Sequence, residues 1–166
     1  MGVYAGDISL EELTHDNVGE VRLIDRDDIC EEFVDTVDTI MDITDYGIFH
    51  GCIGHTFAIK YHHRYIGVIL LGEALEWETD PPEMKEQPFY RLMGFVLDRN
   101  YRGKGLGSRV LEMTVQAVYT EFGKRPIALE CHEQNTAAAR FYLRHGFKKT
   151  AYKEGGDDYY LRYPDI

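Results

Sequence analysis

The run Arg102-Gly103-Lys104-Gly105-Leu106-Gly107-Ser108 separates an apolar stretch, residues 92–97, from residues 106–122, whose apolar side chains recur at helical spacing. A strand that turns through glycines into a helix presents unpaired backbone N–H groups and the positive end of the helix dipole, and together these hold phosphate. Residues 127–131 read as the next strand. A strand, helix, strand unit crosses over right-handedly and pairs its strands in parallel. Two familiar phosphate loops do not fit. The Walker loop places four residues between its first glycine and Gly-Lys-Ser/Thr, and the dinucleotide fingerprint is Gly-x-Gly-x-x-Gly, whereas this chain has Gly103-Lys104-Gly105-Leu106-Gly107.

The remaining segments fit around that unit. Residues 8–13 alternate as an opening strand, and Asp16 or Asn17 caps a short helix carrying Val18, Val21 and Ile24. From Asp28, the residues Ile29, Phe33, Val37 and Ile40 make one face of a helix ending near Tyr46-Gly47. Residues 56–62 and 65–75 form a hairpin turning near His63-Arg64, residues 77–88 a proline-bearing loop, and residues 91–97 a strand buried on both faces. Asn135 opens a helix that Gly146 closes, and residues 151–153 and 159–163 finish as a hairpin. The expectation is one domain over residues 1–166, an α/β fold with a central mixed sheet. Its fourth and fifth strands are the parallel pair, flanked by helices.

With 166 residues, 44% of them hydrophobic, the chain can bury one core. The net charge of −11 argues against a nucleic-acid surface and for a cationic or neutral partner. Much of the excess is local: Asp25, Asp27, Asp28, Glu31, Glu32, Asp35, Asp38, Asp42 and Asp45 are opposed in their segment by Arg26. An acidic helix face is ordinarily solvated surface; the sharper alternative is a cation-attracting wall at a substrate entrance. Cys30, Cys52 and Cys131 are odd in number and widely spaced, which fits a reducing compartment. No cysteine or histidine spacing forms a metal pattern, since adjacent His62 and His63 would point to opposite faces of a strand. Residues 65–72, the longest uncharged apolar run, are too few to span a bilayer, and residues 1–7 lack a signal peptide's features. Cytoplasmic residence is the expectation.

Four groups of residues stand in one order and spacing: Phe95-Val96-Leu97; Tyr101-Arg102-Gly103-Lys104-Gly105-Leu106-Gly107; Leu129-Glu130; and Asn135-x-x-Ala138-x-x-Phe141-Tyr142-x-x-x-Gly146-Phe147. In these, over about residues 91–150, the chain resembles the GCN5-related N-acetyltransferases, the GNAT superfamily. The resemblance implies that Arg102, Gly103, Lys104, Gly105, Leu106, Gly107 and Ser108 cradle the pyrophosphate of acetyl-coenzyme A. It implies also that Phe95, Val96 and Leu97 line the pantetheine like an added strand, with Asn135 contacting the same arm. Tyr142 would act as general acid on the departing thiolate, and a phenol of ordinary pKa has a proton to give at neutral pH. Glu130, polar in an otherwise apolar strand, matches the base of the family's protein amino-terminal acetyltransferases. Glu73 and Glu76 on the preceding hairpin remain alternatives. A strand N–H near Leu97 would polarise the thioester oxygen.

The function so implied is acetyl transfer from acetyl-coenzyme A to a primary amine by direct attack in a ternary complex, without metal and without nucleic-acid or membrane partners. Cys131 neighbours Glu130 on a strand and so faces the other way, which speaks against an acyl-cysteine route. The acidic segment favours a polyamine or an aminoglycoside-like polycation as acceptor. A protein or peptide amino terminus, or a non-catalytic acyl-coenzyme A binding module, are the alternatives. The family often dimerises, so a homodimer is consistent with the resemblance.

Overall fold

The structure is a computed structural model and describes residues 2–30, 32–74 and 76–165. Among the described residues eight strands form one sheet: β1 (Val3–Ala5), β2 (Ile8–Glu12), β3 (Gly54–Tyr61), β4 (Arg64–Gly72), β5 (Tyr90–Leu97), β6 (Ile127–His132), β7 (Lys148–Glu154) and β8 (Asp157–Arg162), in the spatial order β1-β2-β3-β4-β5-β6-β8-β7. The helices are α1 (Val18–Val21), α2 (Val37–Phe49), α3 (Glu83–Glu86), α4 (Leu106–Phe122) and α5 (Thr136–Arg144). Among the described residues no helix is long and apolar enough to cross a membrane.

The layers follow from alternation along the strands. Ile69 and Leu71 of β4 pack under Leu106, Val110, Leu111, Val115 and Val118 of α4. Val68 and Leu70 face the other way, onto Val18 and Val21 of α1 and onto Val37, Ile40 and Met41 of α2. Each such buried aliphatic side chain contributes roughly 2 kcal/mol. On the outer edge β7 is exposed along most of its length and carries Lys148, Lys149 and Lys153, charges that discourage pairing with another chain.

The pair expected to be parallel is parallel, but an additional short strand, β1, makes these the fifth and sixth strands. They share a register only at Tyr90↔Ile127 and Arg91↔Ala128. Beyond Ala128 they separate, leaving one edge of β5 open. A bulge accompanies the opening: Val68 pairs with Val96 and Leu70 with Met93, so β5 carries one residue more than β4 between the two pairs. Gly94 absorbs it at φ +63°, and a Cβ there would overlap the Ile40 side chain.

Several boundaries differ from the sequence expectation. The acidic helix does not begin at Asp28. It starts at Val37 behind Thr36, whose side chain accepts from Thr39 N at 3.2 Å. The preceding turns are held by Arg26, which donates to the carbonyls of Val34 and Asp35 at 2.7 Å each. Glu31, counted in the acidic run, lies outside the described residues, as does Leu75, expected to end a strand. α2 continues through Gly47 to Phe49, since one glycine inside a helix costs only about 1 kcal/mol. The hairpin turns at His62 and His63, with φ of 49° and 67°, one residue earlier than expected. These histidines are turn residues, and histidine is among the side chains that tolerate this conformation. The proline-bearing loop contains the single turn α3.

Candidate active site

The separation of β5 from β6 opens a cleft of about 850 Å³ that passes from the α4/α5 face of the sheet to the face carrying the acidic segment. On the first face stands the glycine turn. Gly103 and Gly105 have φ of +74° and +78°, and a Cβ at either would touch nothing within 4 Å, so it is the backbone conformation and not crowding that selects glycine. Gly105 is the N-cap of α4 and supplies no side-chain cap, which leaves the first-turn N–H groups available at the cleft mouth. Gly103, Gly105, Gly107 and Ser108 line the cleft; Leu106 is buried in the core, and Lys104 sits with its Nζ 5.5 Å from the Tyr101 ring centroid, away from the lining.

Arg102 does more than the sequence implied. Its Nε donates to the Leu97 carbonyl at 2.9 Å and its Nη1 to Asp28 Oδ2 at 2.5 Å, while its buried Nη2 has no partner among the described residues. Asp98 N donates to Ile66 O on β4 at 2.6 Å. Alternation therefore turns Leu97 toward the open edge, where Arg102 occupies the carbonyl and the Leu97 N–H faces the cleft. Phe95 and Val96 line the same edge. One network was not foreseen: Ser108 Oγ lies 2.9 Å from His145 Nε2, whose Nδ1 lies 3.0 Å from Glu112 Oε2, and Glu112 also accepts from Arg162 at 2.9 and 3.0 Å. It joins residues over 50 positions and carries no short-range signature.

Asn135 and Tyr142 both line the cleft. Asn135 is the N-cap of α5, outside the helix proper, and its Oδ1 accepts from Ala138 N at 3.4 Å, so its amide nitrogen is the part left for a ligand. The Tyr142 ring is held edge-on between Phe141 and Phe147, with centroids 5.3 and 5.6 Å away. Its hydroxyl has no hydrogen-bond partner among the described residues, and burial pushes its pKa above the ordinary value, so the proton stays on. Cys131 lies in the core below, and burial pushes its thiol up to about 11, the opposite of what a nucleophile needs.

Glu130 projects from the other face of β6, since Ile127, Leu129 and Cys131 occupy the α4 side. Its Oε1 is buried and has no partner among the described residues. Burial raises its pKa to about 7; the Tyr159 hydroxyl and Arg91 pull downward, and the nearby Glu154 carboxylate pushes further up. The two alternative bases stand apart from the cleft. Glu73 accepts from Ile53 N at 3.0 Å and Arg125 Nη1 at 2.8 Å, contacts that hold its pKa low, and Glu76 does not line the cleft. Around Glu130 the lining includes Asp28, Glu32, Asp35 and Asp157, with Trp77 stacked 4.5 Å over the Arg91 guanidinium. The acidic wall is thus built by the turns before α2, not by the helix face. Asp38 is paired with Arg22 at 2.7 Å and Asp45 with His15 at 2.8 Å, both away from the lining, and Asp42 is exposed outside it.

A splayed parallel pair, with a glycine turn and uncapped helix amides at its mouth, defines a class of α/β folds suited to a ligand that carries both amides and phosphate. The chain belongs to the acetyltransferase (GNAT) family, whose model matches residues 24–147. It is 37% identical over 90 residues to a spermine/spermidine N(1)-acetyltransferase of Bacillus subtilis and equally so to a probable spermine N(1)-acetyltransferase of its natto subspecies. Each match covers 54% of this chain and 57% of the relative's length. In fold it is similar to RimL, a ribosomal alpha-N-protein acetyltransferase in complex with coenzyme A, at a TM-score of 0.73 and 16% identity over 99% of both chains. It is similar also to the PaiA N-acetyltransferase of Thermoplasma acidophilum in complex with coenzyme A, at 0.68 and 15% identity over 95% of this chain and 99% of that one.

Proposed function

We propose that the chain transfers an acetyl group from acetyl-coenzyme A to a primary amine of a polyamine, by direct attack in a ternary complex. The observation that carries the acceptor half is the carboxylate wall: Glu32, Asp35 and Asp157 line the same cleft as the half-buried Glu130. Spaced ammonium groups match such a wall, one at Glu130 and the next at its rim. Partly exposed pairs of this kind contribute roughly 0.5–1 kcal/mol each, so three together alter binding about tenfold or more. The sequence likeness to the spermine/spermidine enzymes supports the same acceptor.

Coenzyme A fits the other face on three observations: the open β5 edge, the uncapped α4 amides and the unpartnered Arg102 Nη2. The edge of Phe95, Val96 and Leu97 holds the pantetheine amides as an added strand would. The amides from Gly103 to Ser108, with Arg102 Nη2, hold the pyrophosphate, and the Asn135 amide nitrogen holds the pantetheine. The Leu97 N–H points where the thioester oxygen gathers charge. Glu130, with a pKa of about 7, is substantially ionised at neutral pH and takes a proton from the bound ammonium. Tyr142, across the sheet, gives its proton to the leaving thiolate.

Thiol release measured over spermidine, spermine, an aminoglycoside and short peptides tests the reading, with the polyamines expected fastest. The triple variant Glu32→Gln, Asp35→Asn, Asp157→Asn is expected to raise KM for the polyamine about tenfold and to leave KM for acetyl-coenzyme A unchanged. An unchanged polyamine KM would remove the carboxylate wall from the argument. Faster turnover of peptide amino termini would favour the second reading, an alpha-amino acceptor, which the fold likeness to RimL and the position of Glu130 support. Acetyl-coenzyme A binding with no thiol released from any amine would instead indicate a binding module.

A further inference from the structure

Glu130 and Tyr159 are direct register partners in the β6–β8 ladder. Side chains so paired leave one face of the sheet with their Cβ atoms roughly 5 Å apart. Tyr159 is fully buried, yet its hydroxyl meets Thr79 Oγ1 at 2.9 Å and Glu154 Oε2 at 3.4 Å. The Thr79 hydroxyl donates in turn to the same Glu154 oxygen at 2.7 Å. Thr79 is exposed and Glu154 half-buried at the end of β7. The series therefore starts beside the half-buried Glu130 and ends at the surface. Asp80, which Tyr159 also reaches at 3.2 Å, offers no exit. It is buried, and its Oδ2 accepts from Arg91 Nη2 at 2.5 Å and Trp77 N at 3.0 Å.

The reaction requires an exit. Converting an ammonium and a thioester into an amide and a thiol removes two protons from nitrogen. One ends on the thiol, replacing the proton that Tyr142 gives; the other is released. It is held first by Glu130, whose Oε1 is buried and has no hydrogen-bond partner among the described residues. We infer that Tyr159 and Thr79 carry this proton from Glu130 to Glu154 and the solvent, as positioning residues that act through the base. The Tyr159 oxygen accepts the Glu130 proton while its own hydrogen passes to Thr79 Oγ1, and the Thr79 hydrogen passes to Glu154 Oε2. Both hydroxyls remain neutral, and a single proton is delivered at the surface. The charged groups facing this path are Arg91 from β5, Asp80 from the loop before it, Glu154 from β7, Asp157 from β8, and Glu32 and Asp35 across the cleft.

The inference rests on Glu130 acting as base, and the experiment separates the two. Thr79→Val, Tyr159→Phe and Glu130→Gln are compared in the intact chain by thiol release, using the amine of the panel that reacts fastest. Thr79→Val is expected to lower kcat about tenfold, with the acid limb of the pH profile in place and KM for acetyl-coenzyme A unchanged. Tyr159→Phe is expected to lower kcat similarly and to move the acid limb up by about one pH unit, because the neighbouring hydroxyl that holds the Glu130 pKa down is lost. A purely structural tyrosine would leave that limb where it is. Wild-type kcat in both variants, with Glu130→Gln inactive, would overturn the relay and spare the base. Wild-type kcat in Glu130→Gln would overturn both. If Tyr159→Phe fails to fold, Thr79→Val at its exposed site decides alone.

Discussion

Replacing Glu130 with Gln should weaken the reaction and strengthen the fold at once. An acid whose folded pKa is raised from 4.5 to about 7 is harder to ionise in the native state than in the unfolded chain. The unfolded state therefore ionises first as pH rises, and native stability falls between about pH 4.5 and 7 by roughly 3 kcal/mol at most. Water in the cleft screens part of this, so about 2 kcal/mol is a fair expectation. Gln has the same shape and never ionises. Glu130→Gln should accordingly match wild type in urea unfolding at about pH 4, below the unfolded pKa, and exceed it by about 2 kcal/mol at pH 8. In the same preparation, kcat should fall by roughly 10²- to 10⁴-fold, the loss of a general base. Wild-type kcat/KM should rise with pH through about 7, and the variant should show no such limb. A variant no more stable than wild type at pH 8, or an acid limb near the ordinary carboxylate range, would refute the claim that burial tunes this group.

Three further outcomes follow from other sites. Tyr142→Phe should keep coenzyme A binding by calorimetry while kcat falls by about 10²-fold, since only the proton donor is lost; an unchanged kcat would assign the proton elsewhere. The pKa of His55 is raised chiefly by its hydrogen bond to Glu12 and then by Glu121 at 2.8 Å, with burial opposing. Its contribution to stability is complete below the unfolded pKa of about 6.5 and is lost as pH rises through the higher folded value. Urea midpoints measured from pH 6 to 9 should fall in wild type and stay flatter in His55→Gln. Gly94→Ala combines a left-handed conformation with a Cβ that overlaps Ile40, and should cost about 2–4 kcal/mol in chemical denaturation.

The second half of the chain was the more legible because its signals are short-range. The stripe from Leu106 to Val118 and the strand from Ile127 to Cys131 are periodicities within one element, and each element adopts them. Asn135 opens its helix through a hydrogen bond spanning three residues. The acidic segment was misread for a physical reason. Ile29, Phe33, Val37 and Ile40 keep helical spacing, but the Arg26 guanidinium takes the carbonyls of Val34 and Asp35, and Ile29 and Phe33 turn into the cleft lining. A side chain competing for backbone acceptors does not register in hydrophobic periodicity.

Local spacing by itself determined the glycine turn, the helix that starts behind it, the parallel pairing on either side and the polar position of Glu130 in an apolar strand. Each depends on neighbours a few residues apart, whose steric preferences survive in any compact fold. The tertiary structure alone decided how far the parallel pair stays together, that Arg102 grips Leu97 and Asp28, and that Tyr159, Thr79 and Glu154 stand behind Glu130. Tyr159 and Thr79 are 80 residues apart in sequence. Their contact is set by strand order and ladder register, which the whole sheet selects through burial of its two faces.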